Sequence, residues 1–151
     1  MGYTFAMQSN SVQGQKRIWA ARVLIAAVFF INVMCAVQFI VVPADFAPAY
    51  QLEGPVAIPI VRSFGICFLM WNATYPPLIV HPERYRMLFC VVIAQQAIGL
   101  VGESLLLASL EPGLAMLAAS IVRFIVFDAA GLVLLAVAFA LVRFTRSGAS
   151  S

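Results

Sequence analysis

The chain has 151 residues, of which 64% are hydrophobic and only 10% are charged, and its formal net charge is +3. Soluble domains are about one quarter charged. The composition therefore excludes an ordinary soluble fold and indicates a protein embedded in lipid. The basic residues lie beside apolar stretches, which favours a role in membrane orientation and argues against nucleic acid as a partner.

The N-terminal part predicts a tail followed by a membrane helix. Residues 1–17 are polar and rich in Ser, Gln and Gly, and we interpret them as a loose cytoplasmic tail. The apolar stretch 18–42 exceeds the roughly 7–15 apolar residues of a cleaved signal peptide, so we predict an uncleaved first helix. The proline-rich linker 43–55 follows. It either anchors in the membrane interface through Phe46 and Tyr50 or lies over the helix ends as a lid.

Three further apolar stretches follow the linker, and each reaches the roughly 20 residues that the bilayer core requires. Pro76 and Pro77 should kink or end the first of these, because proline has no backbone N–H to donate. Short connections separate the remaining stretches, which predicts antiparallel neighbours. The stretches cover residues 56–80, 87–110 and 114–142.

Together the four stretches predict an all-α protein, a four-transmembrane-helix up-down bundle over residues 18–142 with a second cytoplasmic tail at 143–151. Basic residues mark one end of this bundle and acidic residues the other. This positive-inside pattern predicts an inner (plasma) membrane protein with both termini in the cytoplasm. The basic residues are Lys16, Arg17, Arg22, Arg84, Arg86, Arg143 and Arg146, and the acidic ones are Asp45, Glu53 and Glu111.

Several polar residues fall toward the outer half of the predicted bundle. The helical rise places Arg62, Glu103 and Arg123 there, with Gln38 near the end of the first helix. Charges in lipid should face the bundle interior or reach an interface. An arginine can hold a carboxylate, a phospholipid phosphate or a quinone carbonyl. These four residues are therefore the candidate ligand-binding site, and Arg62 is the arginine most open to an anionic partner.

A deeper polar layer is predicted to form a buried network. We expect Arg123 to pair with Glu103, and Asp128 to pair with Asn72 or a glutamine of the third helix. Two alternatives to a ligand site remain: the polar groups fix helix register, or Glu103 and Asp128 form a proton relay. The members of the deeper layer are Asn72, Gln95, Gln96 and Asp128.

No motif identifies a reaction. Walker A, dinucleotide, GxSxG and HExxH patterns do not occur, so we predict no catalytic residue and lean against an enzyme. The three cysteines lie in apolar stretches without metal-ligand spacing and are interpreted as buried hydrophobic residues, so we predict no metal site. The only histidine, His81, is predicted to lie at the membrane boundary beside Glu83 and Arg84.

Three short motifs carry a family resemblance. They are Pro43-Ala44-Asp45 after the first helix, Arg62-Ser63-Phe64-Gly65 in the second, and Gly99, Gly102 and Glu103 in the third. With this layout the chain resembles small DoxX-like four-helix membrane proteins over most of residues 20–142. The resemblance implies a quinone-linked or partner-subunit role and assigns no catalytic residue.

The leading functional hypothesis is a non-enzymatic accessory subunit of an inner-membrane complex, which would meet other membrane subunits through faces of small residues. One alternative is a binding protein or carrier for a lipid or quinone. The other is an intramembrane oxidoreductase or proton-coupled transporter. The small residues of the docking faces are Gly65, Gly99, Gly102 and Gly131.

Overall fold

The computed structural model describes the backbone of residues 2–147 and the side chains of residues 12–143. Within that range it contains helices and turns and no strand. Four segments are long and apolar enough to cross a membrane, which confirms the predicted four-helix fold: Val12–Val41, Ala57–Val80, Arg86–Ala108 and Ala115–Arg143. The helices are α1 (Gly2–Val41), α2 (Pro43–Phe46), α3 (Ala57–Asn72), α4 (Tyr75–Val80), α5 (Arg86–Ala108) and α6 (Ala115–Ser147), with a 3₁₀ helix at Ala47–Tyr50.

The prediction of a loose N-terminal tail was wrong, because α1 begins at Gly2. A helix already nucleated by the membrane segment extends at little cost, and this tail contains no proline to stop it. At the other end α6 continues to Ser147. The rest of the predicted second tail, residues 148–151, and the side chain of Arg146 lie outside the described residues.

The second membrane span is divided into α3 and α4 by a turn at Ala73 and Thr74. Pro76 and Pro77 interrupt the span as predicted, but the break precedes them. In a continuous helix each proline would leave the carbonyl four residues earlier without a donor. In the first turn of α4 the missing N–H groups are not needed, so the chain starts a new helix there.

The helices form an incomplete ring. Helix α1 packs against α3, α4 and α6, and α5 packs against α6, while α4 touches α5. Within residues 2–147, the backbones of α3 and α5 do not pack closely against each other, and α3 meets α6 through the rings of Phe68 and Phe124, whose centroids are 6.1 Å apart. The bundle is therefore closed near the 81–85 connection, which we call the loop end. It is open between α3 and α5 toward the opposite end, which we call the linker end.

Most of the apolar core lies toward the loop end. Side chains from α1, α4, α5 and α6 meet there, and the α5 ring of Phe89 packs edge-on against Phe139 of α6, with 5.2 Å between centroids. Arg22 of α1 donates from Nη2 to the carbonyl of Val80, at the end of α4. The buried members of this core are Ala21, Ile25, Val28, Tyr75, Leu78, Phe89, Val92, Leu135, Ala138 and Val142.

Gly65 determines how closely α1 and α3 approach each other. A Cβ atom at this position would lie 2.7 Å from the carbonyl oxygen of Ala36 and 2.9 Å from the Cβ of Phe39. Real side chains do not approach backbone that closely. The absence of a side chain at Gly65 therefore allows the two helices to pack in contact near the linker end.

The linker forms a cap, residues 43–56, over the linker end of the bundle. The ring of Phe39 on α1 is 2% exposed and packs against two cap residues, at centroid distances of 4.6 Å to Phe46 and 6.0 Å to Tyr50. The buried hydroxyl of Ser120 on α6 donates to the carbonyl of Ala49 at 3.2 Å. Of the two alternatives for the linker, the structure favours the lid.

Candidate functional site

A cavity of about 100 Å³ lies in the bundle. It is bordered by all four membrane spans, including α3 and α5, whose backbones do not pack closely against each other. A concave site with converging polar groups is the usual place for a small ligand. Its lining residues are Asn32 and Cys35 of α1, Phe68, Trp71 and Asn72 of α3, Gln96, Gly99 and Glu103 of α5, and Phe124, Phe127 and Asp128 of α6.

One wall of the cavity is a polar pair between α5 and α6. Gln96 is 3% exposed, and its Nε2 donates to Oδ1 of Asp128 at 2.7 Å. This confirms the predicted pairing of Asp128 with a glutamine of the third span. Each partner faces a glycine on the opposite helix. A Cβ at Gly131 would lie 2.8 Å from Gln96 Nε2, and one at Gly99 would overlap the Asp128 carboxylate.

Asn72 is a buried polar residue in the lining of the cavity. The residue is 4% exposed, and its Nδ2 donates to the carbonyl of Phe68 at 2.7 Å. Its Oδ1 is buried and has no hydrogen-bond donor among the described residues. Leaving a buried acceptor unpaired costs about 1–3 kcal/mol. Because Oδ1 has almost no accessible surface, a ligand in the cavity would reach it only if the Asn72 side chain moved.

The predicted ion pair between Arg123 and Glu103 was wrong. Arg123 is exposed, and its Nη2 donates at 3.2 Å to Ser120, the residue that holds the cap. Sequence depth places the two charges at similar heights, but Arg123 follows Ser120 by three residues, so the serine is its nearer partner. Among side chains 12–143 the one contact at ion-pair distance joins His81 Nδ1 to Glu83 Oε1, at 3.6 Å, at the loop end, so His81 lies beside Glu83 as predicted.

Arg62 also has a structural partner. The side chain is exposed, and its Nε donates to the carbonyl of Ile40 at 3.2 Å. That carbonyl belongs to the last turn of α1, where the carbonyl groups have no backbone N–H partner within the helix. A cation there also complements the negative end of the helix dipole. Arg62 and Arg22 thus each cap the end of a neighbouring helix.

The structure brings together only part of the predicted site. Of the four candidate ligand-binding residues, only Glu103 lines the cavity; Arg62, Arg123 and Gln38 do not, and their role in binding stays a prediction. Glu103 is half-buried and has no hydrogen bond or ion pair among the described residues. In the deeper layer Gln95 accepts a bond from Thr74 Oγ1 at 3.3 Å and is not part of the lining. The other three members, Asn72, Gln96 and Asp128, line the cavity.

Aromatic residues that the sequence reasoning missed form much of the cavity wall. Helices α3 and α6 carry the same pattern, an aromatic residue followed three positions later by a second aromatic and then a polar residue. The spacing i, i+3, i+4 puts the three on one helical face. This repetition is the signal that could have found them. The two sets are Phe68, Trp71 and Asn72, and Phe124, Phe127 and Asp128.

The cap connects to the cavity through its aromatic contacts. The ring of Phe39 contacts Phe46 and Tyr50 of the cap. It also packs against two cavity residues, with centroid distances of 5.8 Å to Phe68 and 6.2 Å to Phe124. Burial, and to a smaller extent the nearby charge of Glu103, raise the pKa of the Tyr50 phenol above its usual range. Tyr50 therefore stays neutral at physiological pH.

Comparisons with protein-family models, with curated proteins and with solved structures found no match to this chain. The resemblance to DoxX-like membrane proteins therefore stays an expectation based on short motifs.

Proposed function

We propose that this protein binds a small amphiphile within the membrane, holding the polar group of the ligand in the cavity. The carboxyl group of Glu103 is the observation that carries this proposal, because it lines the cavity without a hydrogen bond or ion pair among residues 12–143 and a ligand can supply the donor. The gap between α3 and α5 supports entry from the bilayer, since an apolar chain could lie between these helices without opening the bundle.

An accessory-subunit role is the second candidate. The half of α5 nearest the linker end presents apolar side chains outward, among them Ile98, Val101 and Leu105, which are 57–68% exposed. Lipid chains or a helix of another membrane subunit could cover this face. The polar cavity favours ligand binding over the accessory-subunit role, because docking to another subunit requires an apolar surface and does not require a polar interior.

We propose that the protein lies in the cell's inner membrane with both termini in the cytoplasm. The loop end carries Arg84 and Arg86, whereas Glu53 and Glu111 lie at the linker end. Positive charge is retained on the cytoplasmic side of bacterial membrane proteins, which supports this orientation. The cap then faces away from the cytoplasm, with the cavity between it and the bilayer midplane.

The test is native mass spectrometry of protein extracted with mild detergent from its source membrane. We expect the wild type to retain a small molecule. Cys35→Leu should release it, since Cys35 lines the cavity and the larger side chain fills part of it. Cys67→Leu is the matched control, because Cys67 is exposed and does not line the cavity. Retention of a fixed protein partner and no small molecule would instead support the accessory-subunit role.

A further inference from the structure

The cavity offers carboxyl groups from two helices. Glu103 of α5 and Asp128 of α6 both line it, and Glu103 has no hydrogen bond or ion pair among residues 12–143. The amide nitrogens of Gln96 and Asn72 donate within the protein, to Asp128 and to a backbone carbonyl. Trp71, whose indole N–H can donate, also lines the cavity. The two carboxyl groups are therefore the feature that distinguishes the class of ligand.

No basic side chain among residues 12–143 lines the cavity. The two arginines nearest in sequence to its walls have other partners: Arg62 donates to the carbonyl of Ile40, and Arg123 donates to the hydroxyl of Ser120. A carboxylate or phosphate in the cavity would face two carboxyl groups without a compensating cation. Wherever those carboxyl groups are ionised, they repel an anion, and the repulsion is stronger where water is excluded.

Aromatic rings line the cavity from two helices. Phe68 and Trp71 belong to α3, and Phe124 and Phe127 belong to α6. The negative face of an aromatic ring attracts an organic cation, by about 0.5–2 kcal/mol depending on desolvation, and Trp is the most effective ring. An inorganic cation prefers a shell of about six or more oxygen ligands, and no group of three His, Cys, Asp or Glu side chains among residues 12–143 could hold a metal ion.

The size of the cavity limits what can enter. An engineered cavity of about 150 Å³ accommodates benzene, and this one measures about 100 Å³. It therefore has room for a compact head group. The rest of an amphiphile would have to extend through the gap between α3 and α5 into the bilayer.

We propose that the ligand is a lipophilic amine or ammonium ion, whose cationic head group lies between Glu103, Asp128 and Asn72 and whose alkyl chain leaves between α3 and α5. This inference rests on the proposed binding function and names the class of ligand. It departs from the anionic or quinone ligand that the sequence predicts, because the arginines do not reach the cavity and the carboxyl groups do.

Tryptophan fluorescence can report ligand binding in the cavity. It has two tryptophans, and Trp19 is exposed near the loop end whereas Trp71 lines the cavity. In Trp19→Phe protein the fluorescence therefore reports on the cavity. The protein, in the nonionic detergent dodecyl maltoside at pH 7, is titrated with decylammonium, whose N–H groups can donate to carboxyl oxygens, with its uncharged isostere undecane, and with decyl sulfate.

We expect a saturable change in Trp71 fluorescence with decylammonium, and an affinity at least about tenfold lower for undecane, since a hydrogen bond to a charged group contributes about 1.5–3 kcal/mol. Decyl sulfate should give no saturable change. Glu103→Gln should weaken binding of the cation to a similar extent. Glu111→Gln, which removes an acidic charge from the α5–α6 turn outside the cavity, should leave it unchanged.

Other outcomes overturn the inference. Equal affinity for the ammonium ion and its isostere would show a purely apolar site, and preference for decyl sulfate would show an anion site. These comparisons use protein with intact cavity residues, so they do not depend on the folding of Glu103→Gln. No saturable response to any probe would also reject the cationic ligand. If native mass spectrometry still found a small molecule that Cys35→Leu releases, binding itself would stand and only the ligand class would fall.

Discussion

Gly99 on α5 lies directly against the carboxylate of Asp128 on α6, leaving no room for a Cβ atom. The same contact is repeated one turn away, where Gln96 of α5 lies against Gly131 of α6. Gln96 and Asp128 are in turn joined by a hydrogen bond of 2.7 Å. Two polar side chains and two glycines therefore fix how α5 and α6 meet, at one wall of the cavity.

Gly99→Ala should destabilise the protein by about 1–3 kcal/mol, the usual cost of inserting a methyl group into a packed contact. The new Cβ would displace the Asp128 carboxylate and strain its bond to Gln96. Gly102→Ala is the matched control on the same helix, since a Cβ there has no neighbour within 4 Å. Alanine favours helix by up to about 1 kcal/mol over glycine, so the control should be neutral or stabilising. Thermal unfolding in detergent compares the two, and equal shifts would contradict the close contact.

Gly65→Ala should destabilise the protein more than Gly99→Ala does. At Gly65 the obstacle includes the backbone carbonyl of Ala36, 2.7 Å from the new Cβ, and backbone cannot rotate away as a side chain can. Helices α1 and α3 would have to separate, which would loosen Phe39 and the cap that rests on it. Unfolding temperatures of the two variants, measured in one detergent, test this order. The reverse order would mean that the α1–α3 contact is looser than described.

Arg62→Ala should lower stability by about 1–3 kcal/mol and leave ligand retention intact. The loss arises because the carbonyl of Ile40 would lose its charged donor at the end of α1. Thermal unfolding and native mass spectrometry on one preparation measure the two effects separately. Loss of the small molecule without loss of stability would restore Arg62 as a ligand-binding residue, as the sequence alone predicts.

The proposed orientation predicts opposite labelling of the two ends. In a variant without native cysteines, Glu53→Cys in the cap should react in intact cells with a membrane-impermeant maleimide. His81→Cys at the loop end should react only after the membrane is permeabilised. Both positions are exposed, so their reactivity reports the side of the membrane. The opposite result would reverse the orientation and place both termini outside the cytoplasm.

The main features of the fold follow from the sequence because they depend on composition along the chain. Four apolar stretches of sufficient length predict the spans, and Pro76 with Pro77 predicts the interruption before α4. The helical N-terminal extension does not follow, because its polar residues show no periodicity and gain their helix by continuation from α1.

The cavity could be predicted only in part. Helical rise gives the depth of a charge but not the direction in which a long side chain points, and arginine can reach carbonyls about a turn away. Arg62 and Arg123 therefore find partners at a helix end and on Ser120, where depth alone suggested a shared site with Glu103. The short side chains of Asp128 and Asn72 have less reach and do line the cavity, as their position within the spans suggests.

The most direct test of the binding proposal is the alkylation rate of Cys35, the native thiol among the cavity-lining residues. The rate is measured with N-ethylmaleimide on delipidated Cys67→Ser, Cys90→Ser protein, before and after a lipid extract of the source membrane is added. We expect the extract to slow alkylation of Cys35, because a bound amphiphile covers the thiol. The control is a variant that retains only the exposed Cys67, whose alkylation rate should not change. An unchanged rate at Cys35, in protein that remains folded, would contradict a ligand in the cavity.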